Sequence, residues 1–238
     1  MRDKTAGDVI VSAMTALVIA TRNQHKVQEI RAILGAGRRC LSLADFPEAP
    51  KVVEDASTFS GNAVKKARGL AAFLQGIPDL DFRVPGVNAL VVSDDSGLEV
   101  DALQGAPGVH SARFAAGDAG TAAGNAPDAA NNMKLLKLLG QVPREKRSAR
   151  FRCAIASFRI KPRQPTLATQ TFEGVCEGRI ELEPRGRGGF GYDPLFVPTG
   201  QTVSFAELKP ELKNQISHRG RAIQAASGFI KSLLKSKE

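Results

Sequence analysis

The sequence predicts an α/β protein, and three observations carry that prediction. Apolar runs of strand length alternate along the chain with stretches whose apolar residues recur at helical spacing. The first run, Ala16-Leu17-Val18-Ile19-Ala20, passes through a polar loop into Val27, Ile30, Ile33 and Leu34, in the order strand, loop, helix. A later run, Ala89-Leu90-Val91-Val92, follows a long helical pattern and leads into the acidic stretch Ser93-Asp94-Asp95-Ser96-Gly97.

Taken in order, residues 1–15 read as a short N-terminal extension and a candidate for disorder, with Met14 an alternative start. After the first strand, Thr21-Arg22-Asn23-Gln24-His25-Lys26 opens a helix. The free N–H groups and dipole there favour an anion, Thr21 and Asn23 can donate hydrogen bonds, and Lys26 adds a charge. The same residues also suit an ordinary capped connection, and the glycines of a P-loop are missing. Residues 39–44 suggest a second strand and 46–53 a proline-bearing loop. Ser57-Thr58 offers a helix N-cap for a segment to about Leu74 with Ala63, Ala67, Leu70 and Leu74 on one face. A Pro/Gly connection spans 75–87, a loop 105–116, a small-residue excursion 115–127 and a helix 132–139. Phe151, Cys153 and Ile155 alternate as in a strand, with 166–175 its hairpin partner and 179–182 another short strand. Ser217 caps a final helix with Ile223, Ala226, Ile230 and Leu233 on its apolar face.

The acidic stretch carries the chemistry. Two adjacent carboxylates after a buried strand are costly unless charged groups meet them. Alternation along the strand sends Asp94 and Asp95 to opposite sides, so one can face a site while the other braces the backbone. Ser96 and Gly97 are expected to make the turn, Gly97 permitting backbone angles or close ligand approach that other residues resist. Alone, this stretch reads better as an acidic turn capping a strand. Farther on, glycines around Phe190 in Gly186–Pro194 suit either a loop lying flat against a base or a hairpin turn. His218 and Arg219, at a helix start after Lys213, are placed to contact an anion or a base oxygen.

Composition narrows the classes. A formal net charge of +9 favours polyanionic partners, either nucleic acid or a phosphorylated small molecule, although part of the excess sits in residues 231–237. Aromatic residues at 5%, with no Trp, weigh against a stacking single-strand binder. Three cysteines without a CxxC pair suit reduced thiols in the cytoplasm. No apolar run reaches membrane-span length, so no membrane is expected.

SDDSGLEVDALQGAPGVHSARF at 93–114 resembles the signature of the inosine/xanthosine triphosphate pyrophosphatases. The resemblance recurs in order at TRNQHK (21–26), TFSGNAVKKA (58–67), GGFGYDPLF (188–196) and KNQISHR (213–219). It implies an elongated mixed sheet flanked by helices, two lobes within 16–238 around a central substrate cleft, and a homodimer. The implied reaction is hydrolysis of ITP, dITP or XTP to monophosphate and pyrophosphate with Mg²⁺. It assigns Thr21, Arg22, Asn23, Gln24, His25 and Lys26 to the triphosphate, Lys66 to a phosphate and Glu54 to the metal. Phe190, Gly191, Tyr192 and Asp193 fall in the nucleoside pocket, and Ser96, Lys213, His218 and Arg219 complete the substrate contacts. Asp95 is expected to be metal ligand and general base, supported by Asp94. Ala56 departs from the family pattern where glycine is usual, and Gly61 where an acidic residue is common. The rival readings are a pyrophosphatase for other modified triphosphates and a basic nucleic-acid-binding module.

Overall fold

The computed structural model describes residues 16–35, 39–77, 89–117, 124–160 and 170–235. The extension over 1–15 with Met14, most of the connection 75–87 and part of the excursion 115–127 lie outside them, as does the side chain of Leu233.

Six strands form one sheet: β1 (Ala16–Ile19), β2 (Cys40–Ser42), β3 (Ala89–Val100), β4 (Ser148–Ile160), β5 (Gln170–Ile180) and β6 (Phe196–Pro198). Their order is β2-β1-β3-β4-β5-β6. β1 pairs parallel with β2 and β3, and the remaining pairs are antiparallel, so the sheet is mixed as expected. Among the described residues the α-helices are α1 (Gln24–Leu34), α2 (Phe59–Gln75), α3 (Asp128–Leu138), α4 (Pro210–Ile216) and α5 (His218–Lys235). The α/β prediction holds.

Period-two alternation in the central strands divides the core. Val18, Val91, Ala154 and Ala156 face α2, whose Ala63, Ala67, Leu70 and Leu74 are the predicted apolar stripe, all buried. Leu17, Leu90, Val92 and Ile155 face the other way, onto Val27 and Ile30 of α1 and Ile223, Ala226 and Ile230 of α5. A third cluster lies toward the far ends of β3, β4 and β5, where Leu98, Phe151 and Ile180 meet Leu135 and Leu139 at α3 and Phe196 of β6.

The connections out of β1 and β2 therefore cover opposite faces. From β1 the chain crosses through α1 to β2 on one side; from β2 it returns through α2 to β3 on the other. This reversal makes the carboxyl end of β1, beside β3, a topological switch point, where open α/β sheets bind ligands.

Three sequence expectations need correcting. Ser96 and Gly97 make no turn: β3 continues to Val100, paired with β4 throughout. Gly97 is there for close approach, since a Cβ at that position would lie 2.4 Å from Ser111 Oγ and 2.5 Å from the Gly108 carbonyl. The loop 105–116 contains a 3-10 helix, Gly108–Arg113, packed against that glycine. The strands expected at 166–175 and 179–182 are one strand, β5, with 166–169 outside the described residues.

Candidate active site

β3 outruns its parallel neighbour. The last β1 rung pairs Ile19 with Val92, and the Ala20 N–H donates to the Val92 carbonyl. Beyond it, Asp94, Asp95 and Ser96 lie along an edge that β1 leaves open. Side chains from both sheet faces converge there, which is how adjacent residues pointing opposite ways serve one site.

On the α2 face, Lys66 Nζ donates to Asp95 Oδ1 at 2.8 Å and to Glu54 Oε2 at 3.0 Å. Glu54 is held in place by its neighbours: Arg113 donates to its carbonyl at 3.1 Å, and buried Asn62 accepts from the Ala56 N–H at 2.9 Å. Burial, with the Glu54 charge adding to it, keeps the Asp95 carboxyl above the usual range despite Lys66. Burial would raise Glu54 too, but Lys66 outweighs it and holds Glu54 low. For Lys66 itself burial favours the neutral amine, and the two carboxylates prevail and keep it charged.

Asp95 Oδ2 is buried and accepts from no donor. A buried acceptor facing a second carboxylate suits either a shared proton or a cation. Among the described residues no group of three or more His, Cys, Asp or Glu forms a metal cage. Mg²⁺ does not need one, since it commonly takes one or two carboxylates and completes its shell with water and substrate phosphates. Glu54 and Asp95 fit that pattern.

These groups line a cavity of about 370 Å³ that Thr21, Arg22, Asn23, Lys26 and Ser96 also border. The start of α1 supplies its anion-favouring wall. Asn23 is the N-cap, its Oδ1 accepting from the Lys26 N–H at 3.2 Å. Arg22 reaches across to donate to the Ala49 carbonyl at 2.7 Å.

On the α1/α5 face, Asp94 is fully buried and surrounded by donors. Lys26 Nζ meets Oδ1 at 2.5 Å, Ser96 Oγ meets Oδ1 at 3.0 Å, and Arg219 Nε meets Oδ2 at 2.9 Å. Burial would raise its pKa, but Arg219 and then Lys26 outweigh it, leaving Asp94 well below the usual range and ionised. Asp94 and Asp95 thus lie on opposite faces of the sheet, as the alternation predicts, Asp94 enclosed by donors and Asp95 bordering the cavity.

Arg219 also donates to Ser96 Oγ at 2.9 Å and pairs with Glu29. Glu29 in turn accepts from Lys213 at 2.7 Å, and Lys213 donates to Asp193 at 2.6 Å. Phe190 lies against this chain of charges. His25 stacks on it with ring centroids 5.3 Å apart, while Lys213 and Arg219 stand 5.2 and 5.7 Å from its centroid. His218 stacks on Phe151 at 4.6 Å, and its buried Nδ1 has no partner. Burial, reinforced by Arg219, pushes its pKa well down, so the imidazole is neutral.

The predicted residues thus form two adjoining groups. Thr21, Arg22, Asn23, Lys26, Glu54, Lys66, Asp95 and Ser96 border the cavity; His25, Phe190, Asp193, Lys213, His218 and Arg219 cluster beside it around Asp94. Gln24 opens α1 exposed and does not line the cavity. Tyr192 is buried in the third core cluster and donates to the Ser111 carbonyl at 2.9 Å, so its ring anchors the loop while Phe190 is the more open aromatic. Sequence reasoning missed Glu29, whose signal was its position three residues after Lys26 on one helix face. It also missed Cys153, whose thiol lies 3.0 Å from Asp94 Oδ2, a contact between strands that spacing does not reveal.

A model of the Ham1 family matches residues 17–229. The protein named dITP/XTP pyrophosphatase in Geobacter sulfurreducens is 49% identical over 211 residues, covering 88% of this chain and 94% of its own. Its namesake in Desulforamulus reducens is 45% identical over 218 residues, covering 91% and 96%. Among solved structures, the Staphylococcus aureus Ham1 protein superposes with a TM-score of 0.71 at 33% identity, over 92% of this chain and 99% of that one. With the family match spanning nearly all the described fold, the chain belongs to the Ham1 family.

Proposed function

We propose that the protein hydrolyses noncanonical purine nucleoside triphosphates, ITP, dITP and XTP, to the monophosphate and pyrophosphate. The observation that carries this reading is a buried carboxylate with an unpartnered oxygen beside two lysines and a helix start, at the switch point of a Ham1-family sheet. The triphosphate lies along the start of α1, with Lys26 and Lys66 taking charge as the pyrophosphate leaves. Asp95, raised by burial, accepts the proton of the water that attacks the α-phosphorus. Glu54 and Asp95 would hold Mg²⁺, which when bound neutralises phosphate charge and lowers the pKa of coordinated water.

The base lies toward Phe190. Neutral His218 can offer an N–H donor at Nδ1 to the C6 oxygen of hypoxanthine or xanthine, and Arg219 lies next to it. The amino group of ATP would meet that donor with another donor. On this reading the site sits between two lobes, the mixed core around β1 and the far cluster around Phe151. The working form is a homodimer in the cytoplasm. No helix among the described residues is long and apolar enough to cross a membrane.

Turnover of ITP, XTP, GTP and ATP with Mg²⁺, read as pyrophosphate release, tests the reading: ITP and XTP should far exceed ATP. Asp95→Asn should lose roughly 10²–10⁴-fold in kcat while staying folded, the usual worth of a positioned general base. Near-normal turnover by the folded variant at saturating Mg²⁺ would remove Asp95 from this role.

A further inference from the structure

We propose that Asp128 and Asn132, on α3, are positioning residues that clamp the Gly191 peptide and so fix the loop carrying Phe190. The inference rests on the functional reading above. Asp128 Oδ2 accepts from the Gly191 N–H at 2.6 Å, and Asn132 Nδ2 donates to the Gly191 carbonyl at 3.0 Å. The two side chains are four residues apart, on one face of α3, and together they hold both polar groups of one residue. Gly191 has φ +62°, a left-handed conformation that glycine adopts without steric cost, and the two hydrogen bonds select it from the others open to a glycine.

The neighbouring residues are tied as well. The Phe190 N–H donates to Asp193 Oδ2 at 2.8 Å, and Asp193 is buried against Lys213. Tyr192 is pinned by its hydroxyl to Ser111. Its phenol is pushed well up, first by burial and then by the nearby Asp128 charge, which agrees with Asp128 sitting over this loop. The loop is therefore tied inward to α4 through Asp193 and outward to α3 through Gly191, with Phe190 between the two ties. Without the outer tie, Phe190 keeps its ring but loses its fixed aim at the base. The clamp is remote from the reacting phosphorus, so it contributes binding shared by ground and transition states and belongs in KM.

Asp128→Ala, an exposed change that spares the core, should raise KM for ITP about tenfold, the loss of one hydrogen bond to a charged group, with kcat within about twofold. Asp128→Asn keeps an acceptor and should restore much of the affinity. Asn132→Asp replaces the donor with acceptors facing the Gly191 carbonyl and should act like Asp128→Ala. In a Phe190→Ala background the same changes should add little, because the ring they aim is gone. Tyr192 is the only tyrosine and there is no tryptophan, so its fluorescence reports this loop alone. Acrylamide quenching of Tyr192 should increase in both clamp variants without any substrate present. Unchanged KM and unchanged quenching in Asp128→Ala would overturn the proposal, as would a KM effect undiminished by Phe190→Ala. If wild-type protein turns over none of the triphosphates, the functional reading falls, and the quenching result alone still decides whether the clamp exists.

Discussion

At the scale of single residues, two departures from the family pattern touch each other. A Cβ on Gly61 would lie 2.8 Å from Ala56 Cβ and 3.0 Å from Thr58 Oγ1, the oxygen that caps α2 by accepting from the Gly61 N–H. The methyl of Ala56 occupies the space a side chain at 61 would need. Each was legible as an oddity in the sequence, but their contact was not, because it depends on how the chain enters the helix. Glycine to alanine inside a helix ordinarily stabilises by about 0.5–1 kcal/mol. Here Gly61→Ala should be neutral or destabilising alone and should recover that gain once Ala56→Gly makes room. A urea double-mutant cycle measures the difference, and strictly additive effects would show that the two residues do not compete for space.

At the scale of elements, placement of the group around Asp94 and Phe190 depends on how closely α5 lies on the sheet. A Cβ at Gly174 of β5 would come within 2.1 Å of the His218 carbonyl and 2.4 Å of the Ala222 nitrogen. Gly174→Ala must therefore lift the start of α5, moving His218 and Arg219 together. Such overpacking should cost about 1–3 kcal/mol and weaken ITP binding as well. Gly228 on the same helix is exposed with open space around it, so Gly228→Ala should stabilise by about 0.5–1 kcal/mol and leave KM unchanged. Thermal unfolding and KM measured on both variants distinguish tight docking from general sensitivity of α5. The helices themselves were readable from apolar periodicity, as the buried stripe of α2 shows. The length of β3 was not. Its second half carries Ser, Asp and Gly in place of alternating apolar residues, because there the strand lines a site and admits a neighbouring turn at Gly97. Local propensity read a turn where the β4 ladder and a ring of cations hold a strand.

At the scale of the whole molecule, charged groups that the sequence shows only as scattered letters form one connected system around β3, and its parts respond to acid in opposite directions. Asp94 is held well below its usual 3.8 once Arg219 and Lys26 overcome the effect of burial. A carboxylate with a depressed folded pKa contributes stability that is present above the unfolded value and lost as pH falls through the folded one. Glu29 and Glu54, also held below their usual 4.5, act in the same sense. Asp95 is raised above 3.8 by burial, so its protonated form is favoured in the folded state and its protonation does not itself unfold the protein. Acidification should therefore separate two events. Turnover should fall first, as Asp95 takes up a proton and stops serving as a base. The fold should follow below about pH 3.8, as Asp94 is neutralised, leaving Lys26 without its counter-charge and Arg219 with Glu29 alone. Asp94→Asn imposes that loss at neutral pH and should cost about 3–5 kcal/mol, the penalty for stranding buried charge. On the proposal that Asp95 also holds Mg²⁺, metal and proton compete there, so raising the Mg²⁺ concentration should move the activity limb to lower pH and leave the unfolding limb in place. Initial rates and Tyr192 fluorescence followed across the same pH series would show both limbs. If they coincide, or if Mg²⁺ fails to shift the activity limb, Asp95 is not both the base and a metal ligand.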